Sequence, residues 1–216
     1  MKAFDITCIL GAAILLCVAV NAKEFQNLEF EDGIPSGLHD VVVEGVHVQA
    51  GDSGKMLPGW QVKYDGVVST SIYYDNGPVS AGMTLIDNTP RIQTFYGQYS
   101  LGVWATLNFP NQDPGGRPMS ISQTGTVPAD AVGLTYNSTD LRISVLVNGE
   151  LVPAREGFAD IRKYAGSEVK LEFDFQPSYI GRFDLVKFTS VPEPSTIALF
   201  IGGVSAALLE VRRRRQ

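Results

Sequence analysis

The stretch "EVKLEFDF" (168–175) alternates polar and apolar side chains without a slip. A period of two leaves a β-strand with one buried face as its only comfortable conformation. Leu171, Phe173 and Phe175 fall on that face. The same signature recurs along the chain in "WQVKY", "VVSTSIYY", "GMTLID", "YSLGVWATLNF", "MSISQTGTV", "VGLTY", "LRISVLVNGELVP" and "GRFDLVKFTSV". Turn residues separate these segments. Asp65-Gly66 and Asn148-Gly149 supply the two positive-φ positions that a tight hairpin requires. No helical period of 3.6 appears between the two ends, although "FADIRKYAG" allows a single turn. With 22 Gly and 12 Pro, the pattern predicts an all-β fold, an antiparallel β-sandwich or jelly roll, as one domain over 23–190.

Two different segments flank that domain. Residues 1–22 carry Lys2, the apolar run "ITCILGAAILLCVAV" and then Val20-Asn21-Ala22, which is the pattern of a signal peptide with its cleavage site. Asp5 is an unusual acid within it. Cys8 and Cys17, the two cysteines of the chain, both lie there, so cleavage after Ala22 leaves a body with no disulfide and no thiol chemistry. The whole chain has a formal net charge of −6. Setting aside Lys2 and the arginines at the far end makes the body more acidic still. An acidic body argues against a nucleic-acid partner, because phosphate binding needs a positive surface.

At the other end stands "VPEPSTIALFIGGVSAALLEVRRRRQ" (191–216). Its apolar run is shorter than the roughly 20 residues of a comfortable membrane helix, and Gly202 and Gly203 weaken it further. Burial as a last helix of the domain fits poorly with Arg212, Arg213, Arg214 and Arg215 directly after it. The excess of cytoplasmic Lys and Arg beside membrane spans accounts for them. Pro192 and Pro194 hold Glu193 in an extended, unpaired stretch. Pro192-Glu193-Pro194, a short apolar helix and a terminal Arg cluster, in that order, resemble the PEP-CTERM sorting signal. That resemblance implies recognition by an exosortase and an inner-membrane-anchored precursor with its body outside the cytoplasm. It also implies later release or attachment to the cell surface or exopolysaccharide matrix. Glu210 departs from the pattern.

Within the body, "NLEFE", "LPGW", "ISQTGTVPADAVGLTY", "DIRKYAGSEVKLEF" and "FDLVKF" occur in an order similar to galactose-binding-like jelly rolls of exported carbohydrate-binding modules. Trp60 is expected to plug one end of the core. The resemblance implies a structural Ca²⁺ where the first and last strands meet, at the positions of Glu31 and Asp184; hard carboxylate oxygens suit it. Leu185 stands where a second acid is usual, and two exposed acids at strand ends are the alternative reading. No other cofactor is expected.

Other phrases carry less. "GDSG" (51–54) copies a serine-protease nucleophile peptide, with His39 and Asp40 before it, but the oxyanion-forming context is missing and a Gly-rich loop is the better reading. His39 and His47 read as solvated loop residues, with a metal site alongside Asp40 or Glu44 as the alternative. "NST" at Asn137 reads as a turn. Of the central aromatics Tyr73, Tyr74, Phe95, Tyr96, Tyr99 and Trp104, alternation buries about half. The loop "TFYGQYS" (94–100), with Phe95, Tyr96 and Tyr99, is the candidate for stacking on a sugar. The chain is therefore expected to be a non-enzymatic, sorted surface or matrix protein whose body binds polysaccharide. A polysaccharide hydrolase and a purely structural matrix protein are the rivals.

Overall fold

Strand β14 (Glu168–Phe175) buries Val169, Leu171, Phe173 and Phe175 and turns the residues between them outward, as its alternation demands. This computed structural model describes residues 23–43, 45–75, 82–89, 94–104, 118–177 and 179–190. Within them β14 is central to a six-stranded sheet. Its order is β11 (Glu150–Val152), β10 (Ile143–Val147), β14, β8 (Met119–Thr126), β3 (Gln61–Tyr64) and β4 (Val67–Ser69). A nine-stranded sheet faces it. That sheet runs β1 (His39–Val43), β2 (Val46–Asp52), β5 (Ser71–Tyr74), β6 (Gly82–Asp87), β7 (Tyr99–Trp104), β15 (Ile180–Ser190), β9 (Ala131–Thr139), β13 (Phe158–Asp160) and β12 (Ala154–Arg155). The β5–β6 pair is parallel, and every other described pair is antiparallel. The fold is an all-β sandwich.

Aromatic rings fill the space between the sheets. Phe173 of one sheet and Phe183 of the other lie 4.7 Å apart, with Tyr136 and Phe175 packed around Phe183. The N-terminal segment closes one end of this core. Phe30 is fully buried against Trp60 and Phe183, and the Trp60 indole N–H donates to the Asn27 carbonyl at 2.9 Å. Trp60 is thus the expected plug, at 4% exposure. Asn27 and Phe30 both adopt positive φ, so the segment coils inward instead of pairing as a strand.

Both predicted hairpin turns form. Asp65-Gly66 joins β3 to β4 and Asn148-Gly149 joins β10 to β11, with positive φ at all four residues. "VVSTSIYY", however, is two strands in two sheets. The chain crosses between them at Thr70, where Ser53 N donates to the Thr70 carbonyl and Ser53 Oγ to the Ser69 carbonyl. Hydroxyl-rich sequence satisfies the backbone at that corner, which apolar residues would leave unpaired.

Other sequence readings are also corrected. "GDSG" ends β2 and opens a single helical turn, α1 (Ser53–Met56), with Asp52 as its cap through a 3.0 Å bond from Lys55 N. The two histidines are strand residues rather than loop residues. Val42 stands opposite His47 and Ala50 opposite His39, which puts the two imidazoles on opposite faces of the hairpin. "NST" at Asn137 belongs to β9 and is no turn. The single turn allowed in "FADIRKYAG", by contrast, is present as a short 3₁₀ segment, Arg162–Tyr164.

Among the described residues no helix is long and apolar enough to cross a membrane. The expected signal peptide (1–22), Pro192, Glu193, Pro194 and the Arg212–Arg215 cluster lie outside the described residues, as does Glu44.

Candidate functional site

The site is built around Thr94–Ser100, the loop that leads into β7. It carries two exposed rings, Phe95 and Tyr96, and a third, Tyr99, that turns to the core, and it is held by two carboxylates. Glu31 accepts from Gln98 N at 2.8 Å and from Tyr99 N at 3.2 Å, one bond on each carboxylate oxygen. Asp184, in β15, has no exposed surface. It accepts from Ser100 Oγ and from Leu185 N, both at 2.7 Å, and from the Tyr96 amide. Ser100 Oγ in turn accepts from Phe95 N at 3.2 Å. A chain of bonds therefore runs from buried Asp184 through Ser100 to the backbone of the exposed Phe95.

The two acids of the sequence resemblance and the aromatic loop, read separately, are parts of one structure. Asp184 is not an exposed strand-end acid. Burial pushes its carboxyl up to about 6, and the charge of Glu31 adds to this while the three hydrogen bonds offset part of it. At Asp184 the strand bulges. Asp184 pairs with Asn137 and Lys187 with Thr135, so β15 carries one residue more than its partner. Leu185, in the bulge, takes φ +54°, a conformation that strains an L-residue by roughly 1–2 kcal/mol. The strain aims the Leu185 N–H at the buried carboxylate.

A carboxylate offers about four acceptor positions. Glu31 uses two, so the pair retains acceptor capacity and shares a loop, as an oxygen-seeking cation requires. Among the described residues no group of three or more His, Cys, Asp or Glu forms a cation cage, so further ligands would have to be backbone carbonyls or water.

Of the three aromatic candidates, the structure separates two from the third. Phe95 and Tyr96 are exposed, at 36% and 52%. Arg182 approaches the Phe95 ring and Lys187 the Tyr96 ring, at 5.8 and 5.3 Å from the centroids. Tyr99 instead packs against the core. Tyr74 donates to Asp87 at 2.9 Å and Trp104 is buried, so neither offers a free face.

Beside Phe95 opens a cleft of about 560 Å³, lined by Tyr136, Asn137, Ser138, Leu141, Ile143, Glu156 and Gly157. Asn137 and Ser138 are the outer end of β9, and Glu156-Gly157 is the turn between β12 and β13. Both turn residues take positive φ, and a Cβ on Gly157 would come within 2.4 Å of the Tyr136 carbonyl. Gly157 is thus needed for the turn to close over Tyr136. The lining residues Asn137, Ser138 and Glu156 were missed by sequence reasoning. The available signal was Asn137 itself, an amide directly after the "VGLTY" alternation.

Comparisons with known proteins add little. No protein-family model matches the sequence, and no curated protein matches it. Among solved structures, a GH31 alpha-xylosidase from Xanthomonas citri is similar over 74% of this chain at 14% identity and a TM-score of 0.26. The chain spans 16% of that enzyme's length. A likeness of that degree carries no argument about fold or activity.

Proposed function

We propose that this is an exported carbohydrate-binding protein of the cell surface or exopolysaccharide matrix, without enzymatic activity, and sorted through its C-terminus. The reading takes the sandwich as a galactose-binding-like jelly roll. It takes 1–22 and 191–216 as the address, with Pro192, Glu193 and Pro194 recognised by an exosortase and Arg212 to Arg215 on the cytoplasmic side of the inner membrane. One observation carries the binding half: an exposed ring, Phe95, walls a cleft whose polar groups are Asn137, Ser138 and Glu156. Sugars are bound by an aromatic face under their C–H groups with amides, hydroxyls and carboxylates on their rims. Hydrolysis of a glycosidic bond ordinarily needs two carboxyl groups flanking it. Glu156 is the single carboxylate among the described residues lining this cleft, which favours binding over turnover.

In this reading Glu31 and Asp184 hold Ca²⁺, which would neutralise their paired charge and stiffen the loop that presents Phe95. A glycan array probed with the full-length chain tests the proposal. Binding is expected, and Phe95→Ala should weaken it by about tenfold, the equivalent of 1.4 kcal/mol. Glycan turnover abolished by one carboxylate substitution would replace the binding reading with the hydrolase.

A further inference from the structure

The outer face of the six-stranded sheet carries a row of polar residues that the Phe95 cleft does not use. Ser144 of β10 stands opposite Asp174 of β14, Asp174 opposite Ser120 of β8, and Ser120 opposite Lys63 of β3. Directly opposed residues share a face. The adjacent row (Val145, Phe173, Ile121 and Val62) is wholly buried in the core, so the polar row lies on the outer face, although its member Ser120 is itself covered, at 7% exposure. At about 4.8 Å between neighbouring strands, it spans roughly 14 Å.

The charges in this row are unevenly matched. Glu172, two residues before Asp174, has three partners. It accepts from Ser120 Oγ at 2.9 Å, lies 3.3 Å from Lys63 Nζ, and also pairs with Lys170. Both lysines are thereby committed to Glu172. Asp174 is half-buried and has no hydrogen bond or ion pair among the described residues. Burial pushes its carboxyl above the usual carboxylate range and the charge of Glu172 adds to this, while the lysines offset part of it. Ser144, opposite it, is likewise without a hydrogen-bond partner among the described residues. Both border a cavity of about 440 Å³ that includes Lys63, Glu172, Phe175 and Pro177.

An unspent carboxylate and hydroxyl facing a cavity call for a ligand that donates hydrogen bonds. Lys63 and Lys170 balance Glu172 and Asp174 in formal charge, so the row as a whole favours neither a cationic nor an anionic ligand. Neutral hydroxyls satisfy Asp174 and Ser144 without adding charge, and a chain of them matches a straight row crossing four strands. We infer that this row is a second binding site, taking a neutral oligosaccharide laid across β10, β14, β8 and β3. The ligand class rests on the proposed function, whereas the residues are independent of it. Two sites would let one molecule hold two glycan segments.

Calorimetric titration of the full-length chain with neutral, amino-sugar and uronate oligosaccharides tests this, using Asp174→Asn, Ser144→Ala and Phe95→Ala. Asp174→Asn removes a half-buried, unpartnered carboxylate, so it should fold; near-ultraviolet dichroism checks that, and Ser144→Ala is the independent second variant. The expected result is two sites for the neutral ligand. Asp174→Asn and Ser144→Ala each weaken one by about tenfold, and Phe95→Ala weakens only the other. If Phe95→Ala alone removes all binding and both row variants bind as wild type, the second site is overturned while the cleft stands. If only the row variants lose binding, the cleft reading fails and the row stands. Equal or tighter binding of the charged oligosaccharides at the row overturns the neutral ligand class, and no binding of any saccharide overturns both sites.

Discussion

Asp184 is the residue on which the geometry of the site turns. Its carboxyl is pushed up to about 6 by burial, with Glu31 contributing, whereas an unfolded aspartate titrates near 3.9. Between those values the folded chain holds a proton that the unfolded chain does not. This group therefore adds stability that is complete below about pH 4 and is lost as pH rises through 6. In the presence of a chelator, urea denaturation should show wild type more stable at pH 5 than at pH 7.5 by about 1.4 kcal/mol from this group. Asp174 and Asp75, raised chiefly by burial, act in the same direction. Asp184→Asn should remove most of the difference, and an unchanged profile in that variant would assign it elsewhere. Gly97 is a second residue-scale test. It takes φ +61°, and a Cβ there would lie 2.3 Å from Glu31 Oε1. Gly97→Ala should lift the loop off Glu31 and lower the melting temperature by several degrees, as a loss of about 1 kcal/mol does; an unshifted melt would show that the loop is not clamped.

At the scale of elements, the alternation of β14 was legible because one face is core and the other is solvent. The result is a clean prediction: Phe173→Ala empties the space beside Trp60, Tyr136 and Phe183 and should destabilise by about 3–5 kcal/mol in the same denaturation assay. β1 and β2 were less legible. "HDVVV" and "VHVQAGD" pair only with each other and with the short β5, and Val42 and Val46 are exposed while Val48 and Ala50 are buried, so their apolar residues mark a buried face only in part. The bulge at Asp184 and the crossing at Thr70 were illegible for a related reason. Each is set by a long-range partner, Asn137 for the first and Ser53 for the second, and no local period of two encodes it. Glu31 and Asp184 emerged as candidates because their strand-end phrases resemble known modules. That they grip the aromatic loop depends, apart from the Ser100 hydroxyl, on backbone N–H groups, which leave no trace in sequence.

For the whole molecule, the proposed function joins an address to a binding body. If 191–216 is an exosortase signal, then Pro192→Ala, Glu193→Ala and Pro194→Ala combined should leave the precursor unprocessed in a host that carries an exosortase. A gel would show it retained at full size in the membrane fraction. Processing that proceeds regardless would show that Pro192, Glu193 and Pro194 are not what the processing enzyme reads. In the proposed function the body's role depends on the cleft beside Phe95, where the loop meets the end of β9. The most direct measurement is to titrate the isotope-labelled full-length chain with a neutral oligosaccharide and follow its amide resonances. The account predicts that the largest shifts fall on Phe95, Asn137, Ser138 and Gly157. Shifts that avoid these residues, or none at saturating sugar, would contradict it.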